Sequence, residues 1–172
     1  VYFLTSHSIG EVTAVFLNIV IGGPLILIPI QILWINLATD GITALSLSVE
    51  RAEKTIMDEP PRPELRLLLP QKTMMVLAAA GLYIGVATLG LFEYYLDQSY
   101  ALARTMAFTT IVMTAQILAL SFRSLYSPLS SIGWFSNPWI LGAVLATTLM
   151  QAAALYAPFL PKILHTVPLS GM

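Results

Sequence analysis

The sequence predicts an all-α protein, a polytopic membrane bundle of about five transmembrane helices. Three observations carry that expectation: an apolar composition, apolar runs of bilayer length, and the concentration of charge between those runs. Hydrophobic residues make up 57% of the chain and charged residues 10%, against roughly 25% charged in soluble domains. A surface that poor in charge cannot face water all round.

A helix needs about 20 mostly apolar residues to cross the hydrocarbon core. The first such run covers residues 1–21 and is interrupted by Glu11. Gly22, Gly23 and Pro24 form a turn signal, because glycine accepts positive φ and proline ends helices. The second run covers 26–49 and is interrupted by Asp40; the others are 73–95, 102–122 and 139–156. These five spans are expected to form a single transmembrane domain over residues 1–172. The start is not a signal peptide, since it has no basic region and carries Glu11 within its apolar run. With no initiator Met and an apolar beginning, the chain is expected to be a piece of a longer polypeptide.

The connections differ. Residues 50–72 are densely charged and carry Pro60, Pro61 and Pro63, while 96–101 is short and 124–138 is rich in Ser, Pro and Gly. Basic residues favour the cytoplasmic side. Arg51, Lys54, Arg62, Arg66, Lys72 and Arg123 share one side of this arrangement, with Arg104 and Lys162 opposite. The 50–72 loop is therefore expected in the cytosol, and the chain in a membrane as a multi-pass protein, the plasma or inner membrane if bacterial. Tyr94, Tyr95, Tyr100, Trp134, Trp139 and Tyr156 fall near the expected membrane edges and read as interfacial anchors. Glu93 and Asp97 read as a solvated rim. A net charge of −1 argues against a nucleic-acid partner, which calls for a basic face. The absence of cysteine removes disulfides, thiol catalysis and thiolate metal sites.

The chemistry lies in the first two spans. A mid-bilayer carboxylate costs at least ~2.5 kcal/mol, so one there normally serves a purpose. Glu11 precedes Gly23 by 12 residues and Asp40 follows Pro24 by 16, fewer if Pro29 starts the helix. A helical hairpin then brings both acids to similar depth, where they repel unless a cation or proton lies between them. Asn36, Thr39 and Asp40 stand at i, i+3 and i+4, which puts their oxygens on one helical face, and Ser8 lies one turn from Glu11. Such an all-oxygen set suits hard cations, calcium above all at 6–8 ligands. Gly41 weakens the helix there and frees carbonyls for coordination. Two other readings compete: interhelical hydrogen bonding by Asn36 and Thr39, and a proton relay through the acids. His7 reads as a helix-end polar contact. The Gly81-x-x-x-Gly85 spacing reads as helix packing.

These residues bring a family into view. Residues 28–47, IPIQILWINLATDGITALSL, resemble the sixth transmembrane helix of type II P-type cation ATPases, in particular the calcium pumps of the sarco/endoplasmic reticulum group and their bacterial relatives. The resemblance implies cation ligation by Asn36, Thr39 and Asp40. SHSIGEVTAVF resembles the fifth helix, with Gly10 and Glu11 on its Gly-Glu pair. TIMDEPPRP resembles the cytosolic loop that touches the phosphorylation domain, matching at Met57, Asp58, Pro60, Pro61 and Arg62. GLYIGVATLG is similar to the seventh helix, whose small residues pack on the fifth, and RTMAFTTIVM to the eighth.

Three departures temper what the resemblance implies. Ser8 stands where the calcium pumps have Asn. Their eighth helix offers a Glu or Gln, for which Gln116 is the nearest candidate, although an ungapped comparison puts Ala115 there. With fewer ligands, one ion site is expected rather than two. The sequence also lacks the Asp-Lys-Thr-Gly phosphorylation motif, the nucleotide-binding and actuator segments and the fourth helix. It is thus expected to correspond to helices five to nine of a pump, with ATP and Mg²⁺ engaged only through domains outside it. Its expected partners are the lipid bilayer, the remaining helices and the phosphorylation domain. The alternatives are a non-catalytic membrane subunit, or a transporter of Na⁺, Mn²⁺ or H⁺.

Overall fold

In lipid every backbone N–H and C=O has to be satisfied within the spanning segment, so an apolar run crosses as a helix. The computed structural model describes residues 1–50, 70–124, 133 and 135–169. Among them, five helices are long and apolar enough to span a membrane. They are α1 (Tyr2–Val20), a second span from Pro29 to Ser48, α4 (Gln71–Leu96), α5 (Tyr100–Ser121) and α6 (Pro138–Tyr156). The second span is composite: α2 (Pro29–Trp34), a π-helical turn (Ile35–Asp40) and α3 (Gly41–Ser48). A short α7 (Leu160–Leu164) follows α6. Each of the five spans begins and ends within three residues of an apolar run in the sequence. Residues 51–69 lie outside the described residues, and with them the expected docking motif from Met57 to Arg62; so does Trp134.

The turn after α1 forms as its residues dictate. Gly22 adopts φ +77°, a conformation that costs glycine nothing. The Gly22 N–H donates to Ile19 O and the Gly23 N–H to Asn18 O, while the Asn18 amide donates to Pro24 O at 2.7 Å. Residues 24–28 are apolar but not helical. Pro29 then takes the first helical position, where its missing N–H costs nothing.

Helix α5 is the hub. Ala103, Ala107, Phe108, Ile111, Val112 and Ala115 on it are wholly shielded from the surface. Helix α1 packs along α4 and touches α5, while the second span packs on α5 and α6. Outward positions such as Val12, Phe16, Leu37, Leu45, Leu82 and Leu145 are exposed and apolar, as lipid contact requires. Tyr94, Trp139 and Tyr156 are exposed, as are Glu93 and Asp97.

Close approach of α1 and α4 depends on small residues. A Cβ on Gly85 would lie 2.5 Å from Thr13 Cβ and 2.8 Å from the Gly10 carbonyl oxygen; one on Gly81 would lie 2.6 Å from Ser6 O. The Ser6 hydroxyl donates across the same seam to Leu77 O at 2.9 Å. The Gly81-x-x-x-Gly85 motif is thus a helix seam, as expected.

The bundle is pinned at both ends. At one end, Arg123 donates to both carboxylate oxygens of Glu50, Nε at 3.0 Å and Nη2 at 2.8 Å. The Asn137 amide joins them at Glu50 Oε2, 2.8 Å away, and its carbonyl caps α6 by accepting from the Trp139 and Ile140 N–H groups. Arg123 therefore shares an end with the start of the 50–72 loop, as the charge distribution requires. At the other end, buried Gln31 donates to Leu164 O at 3.1 Å, Tyr100 donates to Leu25 O at 2.8 Å, and Arg104 donates to His165 O at 3.1 Å.

The seam generates a paired test. Gly85→Ala is expected to destabilise the protein by about 1–3 kcal/mol through overpacking. Gly90→Ala on the same helix, where an added Cβ meets nothing within 4 Å, is expected to lose no stability. Thermal denaturation of the detergent-purified protein reads both, and equal midpoints would contradict the seam.

Candidate cation-binding site

The inward stripe of α1 is Ser6, His7, Gly10, Ala14 and Asn18. Glu11 lies four residues beyond His7 and so shares its side of the helix. Asp40 ends the π-helical turn and is 3% exposed. His7 is fully buried, and its Nδ1 lies 2.9 Å from Asp40 Oδ2. A carboxylate accepts, so Nδ1 carries the hydrogen. The ring's other nitrogen, Nε2, is directed at the Ile111 carbonyl of α5, 3.3 Å away. The ring also stacks on Phe3 at 5.8 Å between centroids. The helix-end contact expected for His7 is corrected by this geometry: the side chain ties α1 to the second span and α5 in the interior.

Depth explains the meeting. Asp40 is 11 residues after Pro29, while His7 and Glu11 are 13 and 9 residues before Val20. At about 1.5 Å per residue, Asp40 falls between the levels of His7 and Glu11. The Glu11 carboxylate is close enough to interact electrostatically with both. The two spans of the hairpin are not each other's principal packing partners, however. Helix α1 leans on α4, and α5 fills much of the space toward the second span. Side chains, not a tight helix pair, carry the connection.

The energetics leave a surplus of polar demand. A mid-span carboxylate costs roughly 2.5–3.5 kcal/mol on insertion scales, and one buried hydrogen bond to a charged group returns about 1.5–3 kcal/mol. His7 thus roughly offsets Asp40. Among the described residues, nothing hydrogen-bonds the buried Asp40 Oδ1 or Glu11 Oε1. The Thr43 hydroxyl and both polar atoms of the Gln116 amide are likewise buried without partners. Buried polar atoms are nearly always paired, so each of these orphans calls for an explanation such as a bound ion; Asn18 Oδ1, Thr88 Oγ1, Arg104 Nε and Gln151 Oε1 are buried without partners as well.

The other expected site residues divide. Thr39 is buried, 2% exposed, and Gln116 is buried beside Ala115, which is wholly enclosed. Asn36 is exposed, and its amide donates back to Ile32 O at 2.9 Å. Ser8 is exposed on α1. The π-helical turn, absent from the sequence reading, contains all three, with Asn36 exposed and Thr39 and Asp40 buried. Such turns recur at functional sites. Among the described residues, no three His, Asp or Glu side chains converge as a finished metal cage. Thr43, buried three residues after Asp40, was not singled out by sequence; its helical spacing from Asp40 was the available signal.

Comparison with known proteins decides the family. Residues 24–172 match the profile described as "Cation transporting ATPase, C-terminus". The chain belongs to the P-type cation-transporting ATPases. It is 34% identical over 171 residues to the calcium-transporting ATPase of Bacillus subtilis (strain 168), covering 98% of this chain and 19% of that protein. It is 33% identical to calcium-transporting ATPase 1 of Yarrowia lipolytica, covering 98% and 18%. It is 27% identical to the endoplasmic reticulum-type calcium-transporting ATPase 2 of Arabidopsis thaliana, covering 98% and 22%. The chain thus spans about a fifth of the length of these curated relatives. It is the C-terminal transmembrane region of a P-type ATPase, integral to the membrane and multi-pass. In this P-type ATPase region the unpartnered carboxylate oxygens lie on the first two spans, and Gln116 lies on the fourth.

The His7–Asp40 contact sets up a double-mutant cycle. His7→Ala and Asp40→Ala are each expected to destabilise the protein, with the double variant less destabilised than their sum by about 0.5–3 kcal/mol. Thermal midpoints of the four proteins in detergent measure the coupling, and simple additivity would contradict the bond.

Proposed function

We propose that this chain is the ion-binding membrane part of a Ca²⁺ pump, driven by ATP hydrolysis in domains outside the chain. The observation that carries the proposal is the pair of unpartnered carboxylate oxygens, Glu11 Oε1 and Asp40 Oδ1, buried in the apolar interior on two different spans. A divalent cation between them would neutralise both and supply the missing partner. Calcium is favoured because its ligands are oxygens and because the relatives above are named calcium-transporting ATPases.

Glu11 and Asp40 would provide the charged ligands, with Thr39 and Gln116 contributing uncharged oxygens. Ser8 and Asn36 would serve the same ion from the exposed faces that the remaining helices of the pump cover. The densely charged 50–72 loop continues directly from the second span, so movement of a phosphorylation domain against it would reach the π-helical turn through α3. A ligand shifts such an equilibrium only by its difference in affinity between the two states. Phosphorylation would therefore exchange tight for weak coordination by moving Glu11 and Asp40 relative to each other.

In the full-length pump, Asp40→Asn and Glu11→Gln are each expected to reduce Ca²⁺-stimulated phosphorylation by ATP to background. Titrations with Ca²⁺, Mn²⁺, Na⁺ and K⁺ measure both the loss and the ion preference. Normal Ca²⁺ stimulation of both variants would remove the ligand assignment, and stimulation by Na⁺ or K⁺ alone would replace calcium as the transported ion.

A further inference from the structure

Asp40 has two carboxylate oxygens in different situations. Oδ2 accepts a hydrogen bond from His7 Nδ1 at 2.9 Å, whereas Oδ1 is buried with no partner among the described residues. His7 is itself committed on both sides, since Nε2 is directed at the Ile111 carbonyl. Neither ring nitrogen is left to face an ion. The geometry points to His7 as the residue that positions Asp40, occupying one of its oxygens so that the carboxylate takes its cation through Oδ1 alone. This inference rests on the reading of Asp40 as a cation ligand and adds how that ligand is held.

Three features make the arrangement a holder. The ring is fully buried and stacked on Phe3, so it cannot swing away without opening the core. It is braced against α5, the most enclosed helix, through a backbone carbonyl rather than a mobile side chain. The residue that it grips is the last of a π-helical turn in the middle of the second span, where the backbone is irregular and the tie to His7 fixes the direction of the Asp40 side chain. Outer groups that hydrogen-bond a ligating side chain set its orientation, and losing one commonly weakens metal binding by 10–100-fold. A carboxylate limited to one oxygen also counts once, not twice, toward the 6–8 oxygens that calcium takes. The site consequently depends more heavily on Glu11 and the uncharged oxygens around it.

Asparagine and glutamine separate the two ring nitrogens. An Asn amide nitrogen falls near the position of Nδ1 and keeps the donor to Asp40. A Gln amide nitrogen reaches toward Nε2 and keeps only the contact with Ile111. In the full-length pump, the Ca²⁺ concentration for half-maximal phosphorylation is expected to stay close to wild type in His7→Asn. It is expected to rise about 10–100-fold in His7→Gln and His7→Ala, with the maximum level of phosphorylation less affected than the midpoint.

A reversed pattern, with Gln near wild type and Asn weak, would overturn the inference in favour of a bracing role through Ile111. Wild-type midpoints in all three variants would overturn it as well. If all three were weak and lost stimulation by Zn²⁺ relative to Ca²⁺, His7 would be a nitrogen ligand and not a holder. A wild-type pump without any cation-stimulated phosphorylation would instead sink the functional reading, and the positioning role with it.

Discussion

A carboxylate kept inside an apolar bundle is the constraint to which the rest of this structure answers. Asp40 ends a π-helical turn with 3% of its surface exposed, and an ion-sized charge at that depth is tolerated only with a partner. His7 supplies one, and the structure around His7 explains how it gets there. The glycine seam lets α1 lie close against α4, Ser6 locks the seam to Leu77, and the next residue along then points into the core. The Ile111 carbonyl receives the other side of the ring. Packing of the first and third spans thus sets the geometry of an acid on the second.

The two pinned ends frame that centre. Arg123, Glu50 and Asn137 join the end of the second span to the ends of the fourth and fifth. Gln31 joins its beginning to the segment that follows the fifth. The second span is thereby held at both ends and irregular in the middle, so a change transmitted along it has the π-helical turn to act on. Within that turn Asn36 faces outward, its amide folded back on Ile32.

The five spans were legible because the length of an apolar run maps directly onto bilayer thickness. Their ends were legible where glycine and proline mark them, as at Gly22 and Pro138. The second span begins at Pro29 and not at residue 26, because hydropathy does not distinguish a helix from the apolar, non-helical stretch that buries Ile26 and Leu27. The acids were legible for the opposite reason: Glu11 and Asp40 each break a run that otherwise tolerates no charge. The exposure of Asn36 beside buried Thr39 and Asp40 was not, since neither hydropathy nor spacing reveals the π-helical turn that carries all three. His7 was hidden by its position near a helix end. Its spacing of four residues from Glu11 was the clue, and its meaning depends on α5, which sequence separation conceals.

The central claim is that the unpartnered oxygens of Glu11 and Asp40 share one cation while His7 keeps hold of Asp40. An anomalous-scattering map of the full-length pump crystallised with Ca²⁺ would test it most directly. The account predicts a single peak within about 2.3–2.6 Å of both Glu11 Oε1 and Asp40 Oδ1, with His7 Nδ1 still on Oδ2. A Ca²⁺ peak coordinated elsewhere in the membrane, with both carboxylates left uncoordinated, would contradict it.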